Sequence, residues 1–343
     1  MLNISIVGLG LMGKQHAKAI RDHPGCQLMS IIDNNDEAER TAKAEGYLFY
    51  KDLKQALLET KPDGLIIATP NSRHFEDGMI GLESHIPILV EKPISNSLAD
   101  AERLVEFGEK KGVPILTGYH RRHNPIVLDI KQKLDQGAIG NIVAMHGMFW
   151  LYKPISYFDH NWRKMEGAGP IFINLSHDID LMRYLLGEIE SVQAIASNKT
   201  RGFEVEDTAV ALLNFASGVV GSISISDTIV SPWSYEFTSN ENPSYHHTPA
   251  NCYWIGGTDG SIELPKGTFW FHKEKKSWWE PISSTKSFYK KSNPVFNQID
   301  NFINVISEKE KPLVSGLEGL KTSAVIEAIK RATLSGLCEK TIF

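Results

Sequence analysis

The chain has few cysteines, no long apolar run and no excess of positive charge, and these absences exclude several classes of protein. Its three cysteines, Cys26, Cys252 and Cys338, are far apart and form no CxxC pair, which argues against a disulfide framework or a structural zinc site. No run approaches the ~18 apolar residues of a membrane span. A strand-like segment from Asn3 onward leaves no room for a secretory leader. We therefore predict a cytoplasmic protein with no membrane partner.

The charge balance also limits the partners. With 36 basic and 41 acidic residues, the formal net charge is −5, so the chain lacks the broad positive field that nucleic acid binding requires. Its 343 residues suggest two domains, at roughly 100–200 residues each. Apolar residues make up 42% and charged residues 22% of the chain, as in ordinary globular proteins. A small-molecule partner is therefore favoured over nucleic acid.

A glycine-rich segment near the start predicts a dinucleotide site. Residues 2–7 form an apolar run, residues 8–13 are Gly-Leu-Gly-Leu-Met-Gly, a helical stretch follows, and a second strand-like run ends at Asp33. The glycines permit a tight turn, close approach of a pyrophosphate and close helix packing. The helix N-terminus offers N–H groups to the phosphates. Asp33 is placed to accept ribose hydroxyls and would repel a 2′-phosphate, which favours NAD over NADP.

Alternating strand and helix signals continue to residue 120. Strand-like runs are found at 48–50, 65–68, 88–90 and 114–117, and helical runs at 53–60, 73–83 and 98–111. This alternation predicts a doubly wound parallel sheet, a Rossmann fold, over residues 1–120. Ligands on such sheets bind beyond the carboxyl ends of the strands, so the polar residues at those ends are candidates to line one crevice.

The second domain is predicted to comprise residues 121–343. Helical patterns cover 125–136, 173–186, 295–308 and 319–334, and strand-like runs cover 141–152, 192–196, 208–215, 218–227, 235–238, 252–255 and 261–264. Short connections between several of these runs favour antiparallel neighbours.

The 173–186 helix carries the most suggestive chemistry of this second domain. Asn174, His177 and Asp180 are spaced by three and share a helix face; an amide, an imidazole and a carboxylate there can hold a polyhydroxy substrate and move a proton. A buried polar cluster without catalysis is the simpler alternative. Metal binding through His160, His177, Asp178 and Asp180 is disfavoured, because adjacent helical residues point in different directions and no HExxH pair occurs. No metal is predicted.

Several short motifs together resemble the Gfo/Idh/MocA family of oxidoreductases. They are the glycine-rich turn, Ala-Thr-Pro-Asn at 68–71 with His74, Glu-Lys-Pro at 91–93, Gly-Tyr-His-Arg-Arg at 118–122, and Gly-Ala-Gly-Pro at 167–170 leading to His-Asp-Ile-Asp at 177–180. The resemblance implies an N-terminal NAD(P) domain and a C-terminal α/β domain with an open, mostly antiparallel sheet. It also implies a homodimer or homotetramer, and oxidation or reduction of an alcohol/ketone pair on sugars, inositols and related polyols.

The resulting hypothesis is hydride transfer between nicotinamide and a secondary alcohol or ketone of a sugar, inositol or sugar-acid-like substrate. His177 is the expected base and Lys92 hydrogen-bonds the substrate oxygen, although the two could exchange roles. The predicted substrate-binding residues are Tyr119, His120, Arg122, Trp162, Arg163, Asn174 and Asp178. The predicted cofactor-binding residues are Gly8, Gly10, Leu11, Met12, Gly13, Asp33, Asn34, Thr69, Pro70, Asn71, His74, Glu91 and Lys92.

One position departs from the family pattern. Many members carry an Asp four residues before the helix His, where this chain has Ile173 followed by Asn174. Either Asn174 only orients the substrate, or the carboxylate comes from elsewhere, such as Asp178 or Asp180, and inositol chemistry in particular is weakened. Two further alternatives are a non-catalytic dinucleotide sensor and an oxidoreductase that keeps its NAD(P) bound and recycles it between two sugars.

Overall fold

The protein is described from a computed structural model that covers residues 1–165 and 167–342. Contacts divide the chain into two compact units. The first contains residues 1–124 and 292–323, and the second contains residues 125–291 and 324–342. The predicted boundary at residue 120 would place all later residues in the second domain. Residues 292–323 instead belong to the first unit, which corrects the predicted boundaries.

The first unit is built on a parallel sheet. Its elements up to residue 124 are β1 (Leu2–Val7), α1 (Leu11–Asp22), β2 (Cys26–Ile32), α2 (Asp36–Glu45), β3 (Leu48–Tyr50), α3 (Leu53–Thr60), β4 (Gly64–Ile67), α4 (His74–Glu83), β5 (Ile88–Val90), α5 (Leu98–Lys111) and β6 (Ile115–Thr117). The strand order is β3-β2-β1-β4-β5-β6, with every pair parallel. The predicted Rossmann fold is confirmed.

Local signals explain where these helices begin and end. Asn35, Asp52 and Ser97 precede α2, α3 and α5, and each side chain accepts a hydrogen bond from a first-turn N–H. Gly112 ends α5 in the left-handed conformation. The strand order reverses between β1 and β4, which places their carboxyl ends at the switch point where such sheets bind ligands.

The second unit contains a mixed sheet with helices packed on one face. Its elements up to residue 291 are α6 (Pro125–Asp135), β7 (Ile142–Trp150), α7 (Pro170–Ile173), α8 (Leu175–Leu186), β8 (Ile189–Ser197), β9 (Thr208–Phe215), β10 (Val220–Ser226), α9 (Tyr235–Thr238), β11 (Tyr253–Gly257), β12 (Ser261–Leu264), β13 (Thr268–Phe271) and β14 (Ser283–Lys286). The chain ends with α10 (Pro294–Ile306), α11 (Gly316–Ser335) and β15 (Glu339–Lys340).

The strand order of this second sheet is β14-β13-β12-β11-β7-β10-β9-β8-β15. β7 and β10 pair in parallel, and the other described pairs are antiparallel, so the expected mostly antiparallel sheet is confirmed. One face is covered by a core that includes Ile130 of α6, Ile179 of α8 and Ile329 of α11. Side chains alternate along each strand, so the opposite face is the more exposed one.

The assignment of residues 292–323 follows from the apolar face of α10. Ile299 and Phe302 are buried in one core cluster with Ile4 of β1 and Ile20 of α1. A helix with such a stripe is stable only when the stripe is covered. Sequence order alone could not show that α10 returns to the first unit.

Two local predictions were wrong. Residues 235–238 were expected to be a strand, but they form the single helical turn α9, because the Ser234 hydroxyl accepts a hydrogen bond from the Phe237 N–H. The helix expected over 173–186 is interrupted at Asn174, which lies between α7 and α8. Among the described residues, no helix combines the length and apolar character needed to cross a membrane.

Candidate active site

The three glycines of the first turn are required for different reasons. Gly8 has φ +89°, and a Cβ on it would lie 2.6 Å from the Ala68 carbonyl carbon. A Cβ on Gly13 would lie 2.0 Å from the Gly8 oxygen. A Cβ on Gly10 would meet nothing within 4 Å, so the absence of a side chain at this position leaves open space next to the turn. A turn closed on two sides and open at Gly10 fits a dinucleotide.

A cleft lies against this turn in the first unit. Its lining residues are Gly8, Leu9, Gly10, Leu11, Met12, Lys14, Asp33, Asn35, Glu37, Ala38, Ala68, Thr69, Pro70, Asn71, His74, Glu91 and Lys92. The structure thus brings the predicted cofactor-binding residues together, except two. Gly13 is buried behind the turn, where it allows α1 to pack closely. Asn34 is exposed, and its neighbour Asn35 lines the cleft instead.

The start of α1 faces this cleft. Gly10 precedes the helix, and no side chain caps its first turn. The N-terminal N–H groups of a helix have no partners within the helix and carry partial positive charge. A pyrophosphate would therefore find hydrogen-bond donors at this turn.

Asp33 is held by the backbone around it. Its Oδ2 accepts the Leu9 N–H at 2.7 Å and its Oδ1 accepts the Asn35 N–H at 2.8 Å. Carboxylate oxygens accept more than one hydrogen bond, so the side chain is oriented and can still accept from ribose hydroxyls. At the same cleft, Lys14 Nζ lies 3.0 Å from Glu37 Oε1, and this bond and charge lower the pKa of Glu37. The Lys14–Glu37 pair has no signal in the sequence, because its members are separated along the chain.

His74 joins two loops that border the cleft. Its ring is buried, with Nδ1 2.7 Å from the backbone carbonyl oxygen of Pro93 and Nε2 2.9 Å from the backbone carbonyl oxygen of Thr69. These contacts tie the loop after β4 to the loop after β5, which carries Lys92. The half-buried Lys92 is thereby kept at the cleft.

Two residues predicted to bind substrate are buried inside the first unit. Tyr119 has no exposed surface. The Arg122 side chain is 3% exposed, and its Nη2 lies 2.9 Å from Glu318 Oε2. Arg122 is therefore engaged in an ion pair within the first unit, and its binding of substrate stays a prediction. His120 is half-buried, and its charge acts on Glu91, so it belongs to the surroundings of the Glu-Lys-Pro motif.

In the second unit, the break before α8 presents Asn174 to an amine. Lys153 Nζ donates to Asn174 Oδ1 at 2.9 Å. The Lys153 side chain is 7% exposed, and burial lowers its pKa to about 8, although Asp227 opposes the shift. His177 follows one turn later in α8 and is half-buried. An amide, an imidazole and an amine are thus carried by neighbouring segments.

The carboxylates associated with this amine are not the ones expected. Asp178 and Asp180 are buried, and Asp178 Oδ1 accepts a hydrogen bond from the Tyr253 hydroxyl. Asp178 therefore has a hydrogen-bond partner inside the second unit, and its binding of substrate stays a prediction. Asp227 Oδ2 lies 3.8 Å from Lys153 Nζ.

Asp227 and Glu206 form the acidic part of this cluster. Asp227 accepts from Arg201 Nε at 2.6 Å, and Glu206 accepts the Ile171 N–H at 2.9 Å. Burial raises the pKa of both carboxyls. No sequence motif points to Lys153, Arg201, Glu206 and Asp227, because only the tertiary fold brings these distant segments together.

Trp162 and Arg163 form a separate aromatic and cationic group. The Arg163 Cζ lies 4.2 Å from the Tyr157 ring centroid and 5.3 Å from that of Trp162. Its Nη1 donates a hydrogen bond to the backbone carbonyl oxygen of Tyr157 at 2.6 Å. Trp162 is 54% exposed. Within the described ranges, no three His, Cys, Asp or Glu residues are arranged to hold a metal ion.

Comparison with known proteins agrees with both halves of this description. Residues 2–119 match a family model described as an oxidoreductase family with an NAD-binding Rossmann fold, and residues 127–263 match the GFO/IDH/MocA C-terminal domain. A scyllo-inositol 2-dehydrogenase (NAD(+)) of Bacillus subtilis is 30% identical over 269 residues, which cover 75% of this chain and 72% of that protein. The chain belongs to the Gfo/Idh/MocA family of oxidoreductases.

Other relatives of this Gfo/Idh/MocA protein extend over most of its length. D-apiose dehydrogenase of Paraburkholderia graminis is 25% identical over 342 residues, covering 94% of this chain and 85% of that enzyme. The WlbA dehydrogenase of Bordetella pertussis, solved in complex with NADH and UDP-GlcNAcA, has the same fold, with a TM-score of 0.80, 24% identity and coverage of 100% and 99%.

Family membership decides three of the predictions. The fold class is confirmed, and so is the enzyme class, an NAD(P)-dependent dehydrogenase or reductase. NAD is confirmed as the cofactor, in agreement with the glycine turn and Asp33. The sensor alternative loses its basis, since the relatives named above are dehydrogenases.

Proposed function

We propose that this enzyme catalyses reversible hydride transfer between NAD and a secondary alcohol or ketone of a sugar, inositol or sugar acid. The observation that carries the proposal is the position of Lys92. Lys92 lines the same cleft as Gly8, Gly10 and Asp33. A cofactor-binding fold needs no amine there, whereas alcohol oxidation needs a group that hydrogen-bonds the reacting oxygen. When bound, NAD supplies the carbon that accepts or returns the hydride.

The remaining chemistry is proton transfer by side chains of this chain. On oxidation the C–H electron pair leaves the alcohol carbon, the O–H bond breaks, and the C=O bond forms. His177 accepts the hydroxyl proton, since an imidazole titrates near neutrality. Lys92 donates a hydrogen bond to the same oxygen, and in reduction the two groups act in reverse. Lys92 and His177 serve one reaction, and their roles are exchangeable.

Lys153 and Asn174 recognise substrate hydroxyl groups. The 2.9 Å bond from Lys153 Nζ uses one of the ammonium donors, and an ammonium has three. The Asn174 amide adds further donors and replaces the carboxylate found in many family members. This difference from many family members weakens the case for an inositol as the substrate in particular. The names of its relatives, which include inositol, levoglucosan and apiose dehydrogenases, support a polyol of some kind.

A substrate panel tests the proposal. Inositols, aldoses and sugar acids are each incubated with NAD, and NADH formation is followed by absorbance. Lys92→Ala and His177→Ala should each lower kcat by about 100-fold or more, the usual size of an acid–base contribution. Lys54→Ala, which removes an exposed lysine on α3, is the matched control. The proposal fails if no substrate of the panel reacts, or if both variants turn over normally.

We also propose that the enzyme is a homodimer or homotetramer that assembles through the exposed face of the second sheet. Ile195, Val210, Leu212 and Val220 are exposed on adjacent strands of that sheet. Contiguous apolar surface of this kind marks interaction sites. Light scattering should give a multiple of the 38.3 kDa chain mass, and Leu212→Glu should shift it towards the monomer. A monomeric wild-type protein would refute this part.

A further inference from the structure

A buried hydrogen bond between a histidine and a carboxylate lies behind the Glu-Lys-Pro motif. His16 of α1 has no exposed surface, and its Nε2 is 2.7 Å from Oε1 of the buried Glu91. The second oxygen of Glu91, Oε2, accepts the backbone N–H of Lys92 at 3.2 Å. One carboxylate therefore connects the helix that starts at the glycine turn with the residue that carries the proposed catalytic amine.

The surroundings of His16 indicate that its imidazole serves the hydrogen bond to Glu91 and not packing alone. Its Nδ1 is enclosed and has no hydrogen-bond partner in the described part of the chain. Enclosing a polar ring atom without a partner costs free energy, and an apolar residue would avoid that cost at a site used only for packing. The position three residues after Gly13 also places His16 on the helix that packs against the cofactor turn.

Glu91 is held ionised by this arrangement. Burial raises its pKa, but the hydrogen bond and charge of His16, followed by the charges of His120 and Lys92, hold the pKa below its ordinary value. The charged groups that act on the carboxylate thus come from α1, from the turn after β6 and from its own loop. Electrostatic effects between charges are mutual, so an ionised Glu91 favours the ammonium form of Lys92.

We propose that His16 is a positioning residue for the reaction: through Glu91 it fixes the Lys92 backbone and holds a carboxylate on the residue next to the one that carries the amine. The inference rests on the proposed function of Lys92. Without the His16 bond, a buried carboxylate loses its donor and tends to take up a proton. Lys92 then loses a neighbouring negative charge, so its amine gives up its proton at lower pH.

The test compares His16→Leu, His16→Gln and Glu91→Gln with the wild type. Leu removes the donor, whereas the Gln amide can reach the position of Nε2 and donate to Glu91. Glu91→Gln keeps a side chain of the same shape and removes the charge, which makes it informative even if His16→Leu does not fold. Thermal unfolding and NADH fluorescence titration establish that each variant is folded and binds cofactor.

The decisive readout is the pH dependence of Lys92 labelling by an acylating reagent, measured by peptide mass spectrometry. His16→Leu and Glu91→Gln should move the labelling midpoint to lower pH by about one unit, the lower end of the effect of a close opposite charge. His16→Gln should restore most of the wild-type midpoint, and Lys54 should label identically in all proteins. With an active substrate, the corresponding limb of the pH–rate profile should move in the same direction.

The labelling experiment distinguishes a failure of the proposed function from a failure of the positioning role of His16. If no polyol reacts with the wild type but the midpoint still shifts as expected, the proposed function fails, whereas the influence of His16 on Lys92 through Glu91 is supported. If folded His16→Leu and Glu91→Gln variants label Lys92 with the wild-type midpoint, the positioning role is refuted whatever the substrate. A shift in His16→Leu that His16→Gln does not reduce would also overturn it, since the donated hydrogen bond would then be irrelevant.

Discussion

Alanine substitutions at Gly10 and Gly13 should separate cofactor binding from folding. Both glycines belong to one turn, but an added methyl group meets different surroundings. At Gly13 the new Cβ would lie 2.0 Å from the Gly8 oxygen, so backbone must move. At Gly10 nothing lies within 4 Å, and its φ of −69° suits alanine. The first methyl group disrupts the protein, whereas the second occupies space that the dinucleotide needs.

The expected magnitudes follow from these distances. Overpacking costs about 1–3 kcal/mol, and Gly13→Ala should reach about 3 kcal/mol, because carbonyl backbone cannot rotate away as a side chain can. In a unit of this size that corresponds to a fall in Tm of roughly 6–12 °C. Gly10→Ala should change stability by less than about 1 kcal/mol, the scale of an N-cap substitution. Its methyl group instead crowds the bound dinucleotide, and an overpacking cost of about 1–3 kcal/mol at that contact weakens NADH binding by roughly 5- to 150-fold.

The assay combines thermal unfolding without cofactor and fluorescence titration with NADH. Gly256→Ala, a change in β11 whose Cβ would be 3.8 Å from its nearest neighbour, is the control and should alter neither quantity. The reasoning is refuted if Gly10→Ala binds NADH within twofold of wild type, or if Gly13→Ala unfolds at the wild-type temperature.

Two further predictions concern charged groups. Asp33→Ala removes the acceptor for the Leu9 and Asn35 N–H groups, and should weaken NADH binding roughly 10- to 100-fold while reducing the preference for NADH over NADPH. Asp22→Ala, on the exposed surface of α1, is the control and should change neither quantity. An unaltered cofactor preference in Asp33→Ala would contradict the assignment of Asp33 to the ribose. Because burial lowers the Lys153 pKa to about 8, substrate KM should rise as pH increases above that value and the amine loses its charge. Lys153→Arg, which stays charged, should lack this rise, and a wild-type KM that is flat to about pH 9.5, well above the Lys153 pKa, would refute the role of Lys153.

The same shift has a consequence for stability with a definite sign. The folded-state pKa of Lys153 lies below its ordinary value of 10.5, so between about pH 8 and 10.5 the unfolded chain binds more protons at this site. Stability rises with pH where the unfolded state holds more protons. Lys153 should therefore oppose folding below pH 8 and progressively cease to do so across that window.

Local patterns were sufficient for much of the first unit. A six-residue apolar strand, a glycine turn with fixed spacing and an acid at the next strand end involve neighbours in sequence, and the structure shows them side by side. The strands at 48–50 and 88–90 and the helices at 53–60 and 98–111 have the predicted bounds. Backbone conformation and capping act over a few residues, which is why a sequence reveals them.

The sequence by itself determined the alternation of strands and helices and the cofactor turn, whereas the catalytic roles of Lys92 and His177 are predictions that rest on the motif resemblance to the family. Tertiary structure alone decided that α10 joins the first unit, that Arg122 is used in an internal pair, and that Lys153 rather than a helix carboxylate meets Asn174. Burial and ion pairing depend on which distant segments pack together, and that choice is a property of the folded chain, not of any short stretch of it.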